Sequence, residues 1–145
     1  MPAEPIELGI QLAAATGLIA VVVLVHGLGL IGISRMLKLG RDDLEEREFG
    51  FRSVGLMCAI GLSIFALHVF EIWIFAAFYL ATGALGTLEE ALYYSGSAYA
   101  TLGRTAEYFP DQWRLLGAVE ALAGFLLIGW STAFLVRNIS RITPG

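Results

Sequence analysis

The sequence contains three long apolar stretches, and each is long enough to cross a lipid bilayer. They cover residues 8–33, 53–85 and 115–136, and the first is interrupted only by Gln11, Thr16 and His26. At a rise of 1.5 Å per residue, about 20 residues span a hydrocarbon core about 30 Å thick. With 57% apolar and 15% charged residues in the whole chain, a soluble globule would have too few polar groups for its surface. The sequence therefore predicts an all-α membrane protein with three transmembrane helices.

The basic residues indicate which side of the membrane each connection faces. Residues 34–52 form a charge-dense connection that holds most of the nine basic residues, and the C-terminal tail holds Arg137 and Arg141. Because Lys and Arg concentrate in cytoplasmic segments, we expect residues 34–52 and the C-terminus to be cytoplasmic. The N-terminus and residues 87–110 then face outward. The net charge of -4 argues against a nucleic acid partner.

A moderately apolar segment, residues 87–110, lies between the second and third apolar stretches and is too short to cross the membrane twice. Thr87 and Glu90 have the spacing of a capping box, in which each side chain bonds the backbone amide of the other residue. We therefore predict a short helix that starts at Thr87 and ends near Ala100. Such a helix reaches only about halfway through a bilayer, and its C-terminal end, the negative pole of its dipole, would point into the membrane. This is the geometry of a re-entrant pore helix.

Four segments between residues 68 and 136, about half of the chain, form one pattern: HVFEIW at 68–73, ALYYS at 91–95, TLG at 101–103 and WRLLGAVEALAGFLLIGWSTAFL at 113–135. Together they resemble the pore-loop potassium channel superfamily, in particular the small bacterial ion channel proteins with an outer helix, a pore helix and an inner helix. The resemblance implies that residues 53–145 form a potassium-channel-like pore domain. Residues 1–52 would then be an N-terminal transmembrane helix and a cytoplasmic connection.

The resemblance also implies an assembly and an activity. Family members are homotetramers with a central pore for the passive transport of monovalent cations, here expected in a bacterial plasma (inner) membrane. The expected ligand is a permeant cation such as potassium, and no cofactor is implied. No combination of nucleophile and base at a recognisable spacing indicates an enzyme.

The family's selectivity filter reads Thr-Val-Gly-Tyr-Gly, and its backbone carbonyls replace the hydration shell of potassium. Thr101, Leu102 and Gly103 fit its first three positions, but Arg104 and Thr105 stand at the Tyr and at the second Gly. That Gly adopts a positive φ, which a β-branched Thr adopts only with strain. The outer half of this filter-like loop is therefore expected to depart from the usual shape.

Arg104 raises the question of conduction. Four copies pointing at an axial cation from about 6 Å would each cost about 3 kcal/mol at an effective dielectric near 20. The side chain could instead turn behind the filter, or be neutralised by Glu107, Glu89 or Glu90. We expect a channel-like tetramer with lost or weakened potassium selectivity, and the alternative is a non-conducting channel-fold subunit or scaffold.

The resemblance assigns roles to three more residues. Tyr93 and Tyr94 occupy the positions of the aromatic residues that brace the filter, and Gly124 stands where related channels have a flexible hinge in the inner helix. Helix packing through small residues is the alternative for Gly124, since Gly117 and Ala121 are also small and lie four residues apart.

Ionisable residues within the apolar stretches are functional candidates. His68 and Glu71 lie three residues apart, on one helix face, which suits a metal ion or a proton relay. Without a third ligand, we favour an ion-paired or hydrogen-bonded structural pair near the outer interface, and we predict no metal site. His26 and His68 permit a remote alternative, a haem-binding membrane anchor, although we expect the two residues at opposite depths. Cys58, the single cysteine, is expected to be a small packing residue.

Overall fold

The computed structural model describes residues 7–42, 51–102 and 111–142. These residues form four α-helices, the last of which is preceded by one short 3-10 turn at Asp111–Trp113. The helices are α1 (Leu8–Asp42), α2 (Phe51–Ala81), α3 (Leu88–Tyr99) and α4 (Arg114–Ile142). The prediction of an all-helical chain is confirmed for the described residues.

Three of the helices are long and apolar enough to cross a membrane. The apolar spans are Leu8–Leu37, Val54–Ala81 and Arg114–Asn138, with 30, 28 and 25 residues. A helix of 25 to 30 residues is about 37 to 45 Å long, which exceeds the hydrocarbon core of a bilayer. Large apolar side chains such as Leu24, Phe65 and Phe125 are exposed along all three, as expected of surfaces that face lipid. The sequence prediction of a membrane protein with three spanning helices agrees with this arrangement.

Hydrogen bonds between helices define their directions. Gln11 in α1 accepts a hydrogen bond from the amide of Leu115 in α4, and further along His26 approaches Ser131, so α1 and α4 run parallel. Helix α2 runs antiparallel to both. We call the end where α1 and α4 begin and α2 ends the upper end. Helix α3 also starts there and packs against α2 and α4.

Helix α1 continues beyond the apolar run, which differs from the prediction of a polar connection from residue 34. Leu30, Ile33 and Leu37 are buried at helical spacing, and they pack with Ile60 and Ile64 of α2. Residues three and four apart share a helix face. The stripe therefore packs α1 against α2 at the C-terminal end of the first apolar stretch and just beyond it. Helix α1 itself ends at Asp42, so residues 34–42 are helical rather than a polar loop.

Helix α2 is shorter than its apolar run, which extends to residue 85. Gly83 adopts a φ of +66°, and the amides of Gly83 and Ala84 bond back to the carbonyls of Leu80 and Tyr79. This is a Schellman-type termination with glycine in the left-handed position. The apolar residues beyond it, including buried Leu85, form the turn into α3 rather than an extension of the helix.

Helix α3 has the predicted boundaries and the predicted cap. The Thr87 hydroxyl accepts from the Glu90 amide at 3.2 Å, and the Glu90 carboxylate accepts from the Thr87 amide at 3.1 Å. At its other end the amides of Thr101 and Leu102 bond back to the carbonyls of Ala98 and Ser97. The pattern is again a Schellman termination, but Thr101 occupies the left-handed position with a φ of +56°, where a β-branched residue is strained.

Candidate functional site

All four helices contribute polar side chains to one buried position. His26 comes from α1, His68 and Glu71 from α2, and Tyr99 from the last residue of α3. Ser131 of α4 lies beside the His26 ring. We call these five residues the junction cluster. His26 and Glu71 have no exposed surface, and His68 is 15% exposed.

The Glu71 carboxylate is the centre of the junction cluster. Its Oε1 atom lies 2.8 Å from Nδ1 of His26, and its Oε2 atom lies 3.2 Å from Nδ1 of His68. The Tyr99 hydroxyl donates a hydrogen bond to Oε2 and also lies 2.8 Å from Nδ1 of His68. One carboxylate therefore links three helices, and the predicted hydrogen-bonded pair of His68 and Glu71 is present within a larger network.

The outer side of the His26 ring is also occupied. Its Nε2 atom lies 3.4 Å from the Ser131 hydroxyl, and the Trp130 ring packs against it with centroids 5.3 Å apart. The rings of His26 and His68 are 5.4 Å apart. Both ring nitrogens of His26 thus have polar neighbours, which fixes the orientation of the ring.

The expectation that His26 and His68 lie at opposite depths is wrong, because their rings are in contact. Helices α1 and α2 are antiparallel. His26 lies nearly as many residues before the end of α1 at Asp42 as His68 lies after the start of α2 at Phe51, so the two histidines reach the same level. Two axial ligands of a haem face each other across the porphyrin. Rings that touch, with both Nδ1 atoms on one carboxylate, leave no space for a porphyrin between them.

A second buried carboxylate lies nearer the upper end. Glu120 of α4 has no exposed surface. It accepts a hydrogen bond from the Tyr79 hydroxyl at 2.9 Å and a short one from the Ser95 hydroxyl, which also lies 3.0 Å from the Ile72 carbonyl oxygen. We call Glu120, Tyr79 and Ser95 the upper carboxylate site. It links α2, α3 and α4 through hydroxyl groups, without an imidazole.

The two sites are connected through α3. Ser95 bonds Glu120 and Tyr99 bonds Glu71, and these two residues lie four apart on one face of the helix. Each end of this face is therefore fixed by a buried carboxylate from a longer helix. The pairing explains why a helix of only 12 residues, too short for independent stability, has a defined position.

The chemistry available differs between the sites. His26, His68 and Glu71 place three potential metal-ligand atoms within 4.8 Å of one another. Two imidazole nitrogens and a carboxylate are a common ligand set for zinc and for iron(II). The same groups can instead share protons. The upper carboxylate site offers oxygen atoms only, and those oxygens are engaged with each other.

Several of the residues predicted from the family resemblance lie at or near the upper end. Thr87, Glu89, Glu90 and Tyr93 line a shallow pocket at the upper end. Tyr93 is 54% exposed, whereas Tyr94 is 6% exposed and packs edge-to-face on Tyr79. The two tyrosines therefore have different surroundings within one chain.

Gly124 lies where α3 meets α4. A Cβ atom at this position would overlap the backbone carbonyl of Tyr99, and one at Gly117 would overlap the Tyr94 hydroxyl. This close approach favours the packing interpretation of Gly124, with the partner helix being α3.

Of the filter-like loop, Thr101 and Leu102 are described, and both are exposed. The predicted roles of Gly103, Arg104, Thr105 and Glu107 fall outside the described residues. Cys58, expected to be a packing residue, is exposed, which is compatible with a position that faces lipid.

Sequence analysis alone missed the junction cluster as a set. Tyr99 and Ser131 did not stand out because hydroxyl residues are common in apolar helices. Polar residues within spans usually face the interior and pair with one another, so His26, His68 and Glu71 could have been grouped from the antiparallel arrangement of α1 and α2.

Comparison with known proteins gives no relative from which a function could be transferred: no family model, curated protein or solved structure matches the chain.

Proposed function

We propose that this chain is a subunit of a tetrameric, potassium-channel-like membrane protein in which α2, α3 and α4 act as the outer helix, the pore helix and the inner helix. Monovalent cations would cross passively through a central pore. The observation that supports this most strongly is the position at which α3 ends.

Helix α3 ends beside the middle of a membrane-length helix. Tyr99 contacts Gly124, which lies about 15 Å along α4 from Arg114 at 1.5 Å per residue. Ala100 and Thr101 line a groove with Phe125, Leu126, Ile128 and Gly129, and Leu126 is the midpoint of the span Arg114–Asn138. The end of α3 is therefore at the level of the bilayer centre if α4 crosses the membrane.

The backbone at this point needs a polar environment. Thr101 and Leu102 are not helical, and Leu102 is 79% exposed. Non-helical backbone at membrane depth is tolerated only inside protein or beside water. Neighbouring copies of the chain around a hydrated axis would supply both, and the negative end of the α3 dipole would favour a cation there.

Weakened potassium selectivity follows from the residues at the filter positions. Arg104 replaces the Tyr and Thr105 replaces the second Gly, so two of the carbonyl rings that select potassium would have altered backbone geometry. We propose a cation pathway that discriminates poorly between potassium and sodium. A non-conducting channel-fold subunit remains the second candidate, because four arginine side chains near an axis oppose cation passage.

Flux through reconstituted vesicles tests the proposal. The purified protein should exist as a tetramer and should pass potassium and sodium at similar rates. Currents selective for potassium would contradict the proposed loss of selectivity. If no ion passes, and if Arg104→Tyr combined with Thr105→Gly restores potassium flux, the chain functions as a non-conducting channel-fold subunit. Arg114→Tyr, at the start of α4, is the matched control, and it should change neither the tetrameric state nor the ion flux.

A further inference from the structure

The strongest unassigned feature is the set of nitrogen and oxygen atoms in the junction cluster. We propose that the junction cluster binds one divalent transition metal ion, with zinc as the best match, through Nδ1 of His26, Nδ1 of His68 and the carboxylate of Glu71. The Tyr99 oxygen is the neighbouring donor for a fourth position. This site does not depend on ion conduction.

The donor atoms lie close enough together for a tetrahedral site to form by rotation of their side chains. In a tetrahedral zinc site with bonds of about 2.0 to 2.2 Å, two ligand atoms lie about 3.3 to 3.6 Å apart. The Glu71 oxygens are 2.8 Å and 3.2 Å from the two Nδ1 atoms, and all three ligand positions lie within 4.8 Å of one another. The most widely separated pair would therefore have to close by about 1 Å or more, which rotation of the side chains can supply.

A hydrogen-bond partner for the other ring nitrogen of His26 is also in place. A metal-bound histidine usually donates its other ring N–H to an oxygen atom, which fixes the tautomer. The Ser131 hydroxyl lies 3.4 Å from Nε2 of His26. It can donate to Nε2 when Nδ1 carries the proton, and accept from Nε2–H when Nδ1 binds the metal. The same serine therefore serves both forms.

Charge and burial are compatible with a bound cation. Glu71 has no exposed surface, and its hydrogen-bond partners are two imidazoles and a phenol rather than a Lys or Arg. A buried carboxylate is costly unless it is paired or coordinates a metal. A divalent ion would neutralise the carboxylate and replace two imidazole hydrogen bonds by two coordinate bonds.

The chain is well suited to a test, because it contains only two histidines and one cysteine. Both histidines are in the junction cluster, and Cys58 is not among the ligand atoms that lie together. Imidazole ligation by this protein must therefore come from this cluster, provided that the affinity tag contains no histidine.

The experiment uses full-length protein in detergent after treatment with a chelator. Cobalt(II) is the probe, because tetrahedral cobalt absorbs visible light, and zinc competition measures affinity. We expect one cobalt ion per chain, displaced by zinc. Glu71→Gln should weaken binding about 100-fold or more, and Ser131→Ala about 10-fold, since outer-shell changes alone cost about 10- to 100-fold.

Glu120→Gln is the matched control, because it alters an equally buried carboxylate that has no imidazole neighbour, and it should leave cobalt binding unchanged. Wild-type protein that binds no cobalt or zinc would overturn the proposal without reference to any variant. Binding that survives in the double variant His26→Gln, His68→Gln, or that falls equally in Glu120→Gln, would also overturn it. Absence of ion flux in vesicles would contradict the channel proposal and leave the metal site unaffected.

Discussion

The two buried carboxylates of this protein hold the same short helix by different means. Glu71 in the junction cluster contacts two imidazoles and the Tyr99 hydroxyl, and it links α1, α2 and α3. Among the described residues, Glu120 in the upper carboxylate site accepts hydrogen bonds from the hydroxyls of Tyr79 and Ser95. The oxygens of the upper site are hydrogen-bonded to one another, which suits a structural link between helices. The junction cluster also has imidazole nitrogens, which are good ligands for transition metal ions.

The difference teaches that burial of an ionisable group within a span does not by itself define its role. Both carboxylates satisfy the rule that such groups face the protein interior and find partners. The two sites differ in the partners of the carboxylate. At one site the partners include imidazole nitrogens, which can either donate a proton or act as acceptors, and at the other they are hydroxyl groups that donate to the carboxylate.

The largest expected effect compares the two carboxylates directly. Glu71→Ala removes three hydrogen bonds, of which the one to His68 lies within α2, and Glu120→Ala removes two interhelical ones. Interhelical hydrogen bonds in membranes are worth about 0.6 to 1.7 kcal/mol each. We therefore expect a loss of about 2 to 4 kcal/mol for Glu71→Ala and about 1 to 3 kcal/mol for Glu120→Ala. Unfolding in mixed micelles measures both, and a greater loss for Glu120→Ala would show that the upper site is the main anchor.

The next comparison concerns the two glycines of α4 that lie against α3. A Cβ at Gly124 would overlap the backbone of Tyr99, whereas one at Gly117 would overlap the tip of the Tyr94 side chain. Because backbone cannot move aside as a side chain can, Gly124→Ala should cost about 3 kcal/mol and Gly117→Ala about 1 kcal/mol. The same unfolding assay provides the measurement. Equal costs would mean that α3 shifts as a rigid unit.

Much of the fold could be predicted from the sequence, because its signals are local. The three apolar runs and the capping box at Thr87 and Glu90 define three long helices and the start of α3. Boundaries set by packing were less accessible: α1 continues past its apolar run, with Leu37 packed against α2, and α2 ends near Gly83 within an apolar run.

The junction cluster was harder to predict, because it depends on the relative depth of separate helices. His26 was judged from the end of its apolar run rather than from its distance to α2 along the antiparallel pair. Tyr99 falls inside the short helix predicted from Thr87 to near Ala100 and has no predicted role, and the approach of its hydroxyl to Glu71 follows from the position of α3 alone.

The two ends of α3 provide the smaller tests. At the upper end, Thr87→Ala removes the hydroxyl that accepts from the Glu90 amide, and the loss of such a cap typically costs about 1 kcal/mol. Thr87→Ser keeps the acceptor and should retain nearly all of the stability. Amide hydrogen exchange in the first turn of α3 should increase in the alanine variant alone. Equal exchange in both variants would show that the cap does not hold this turn.

At the lower end, Thr101 has a φ of +56°, which costs an L-residue about 1 to 2 kcal/mol. Thr101→Gly removes this strain but adds freedom to the unfolded chain, so we expect a net gain of up to about 1 kcal/mol. Thr101→Ala keeps the positive φ and should gain less. If Thr101→Gly destabilises the protein instead, the threonine side chain would make a compensating contact in the proposed tetramer. Such a contact would connect the filter-like loop to neighbouring subunits, because Thr101 is exposed in the single chain.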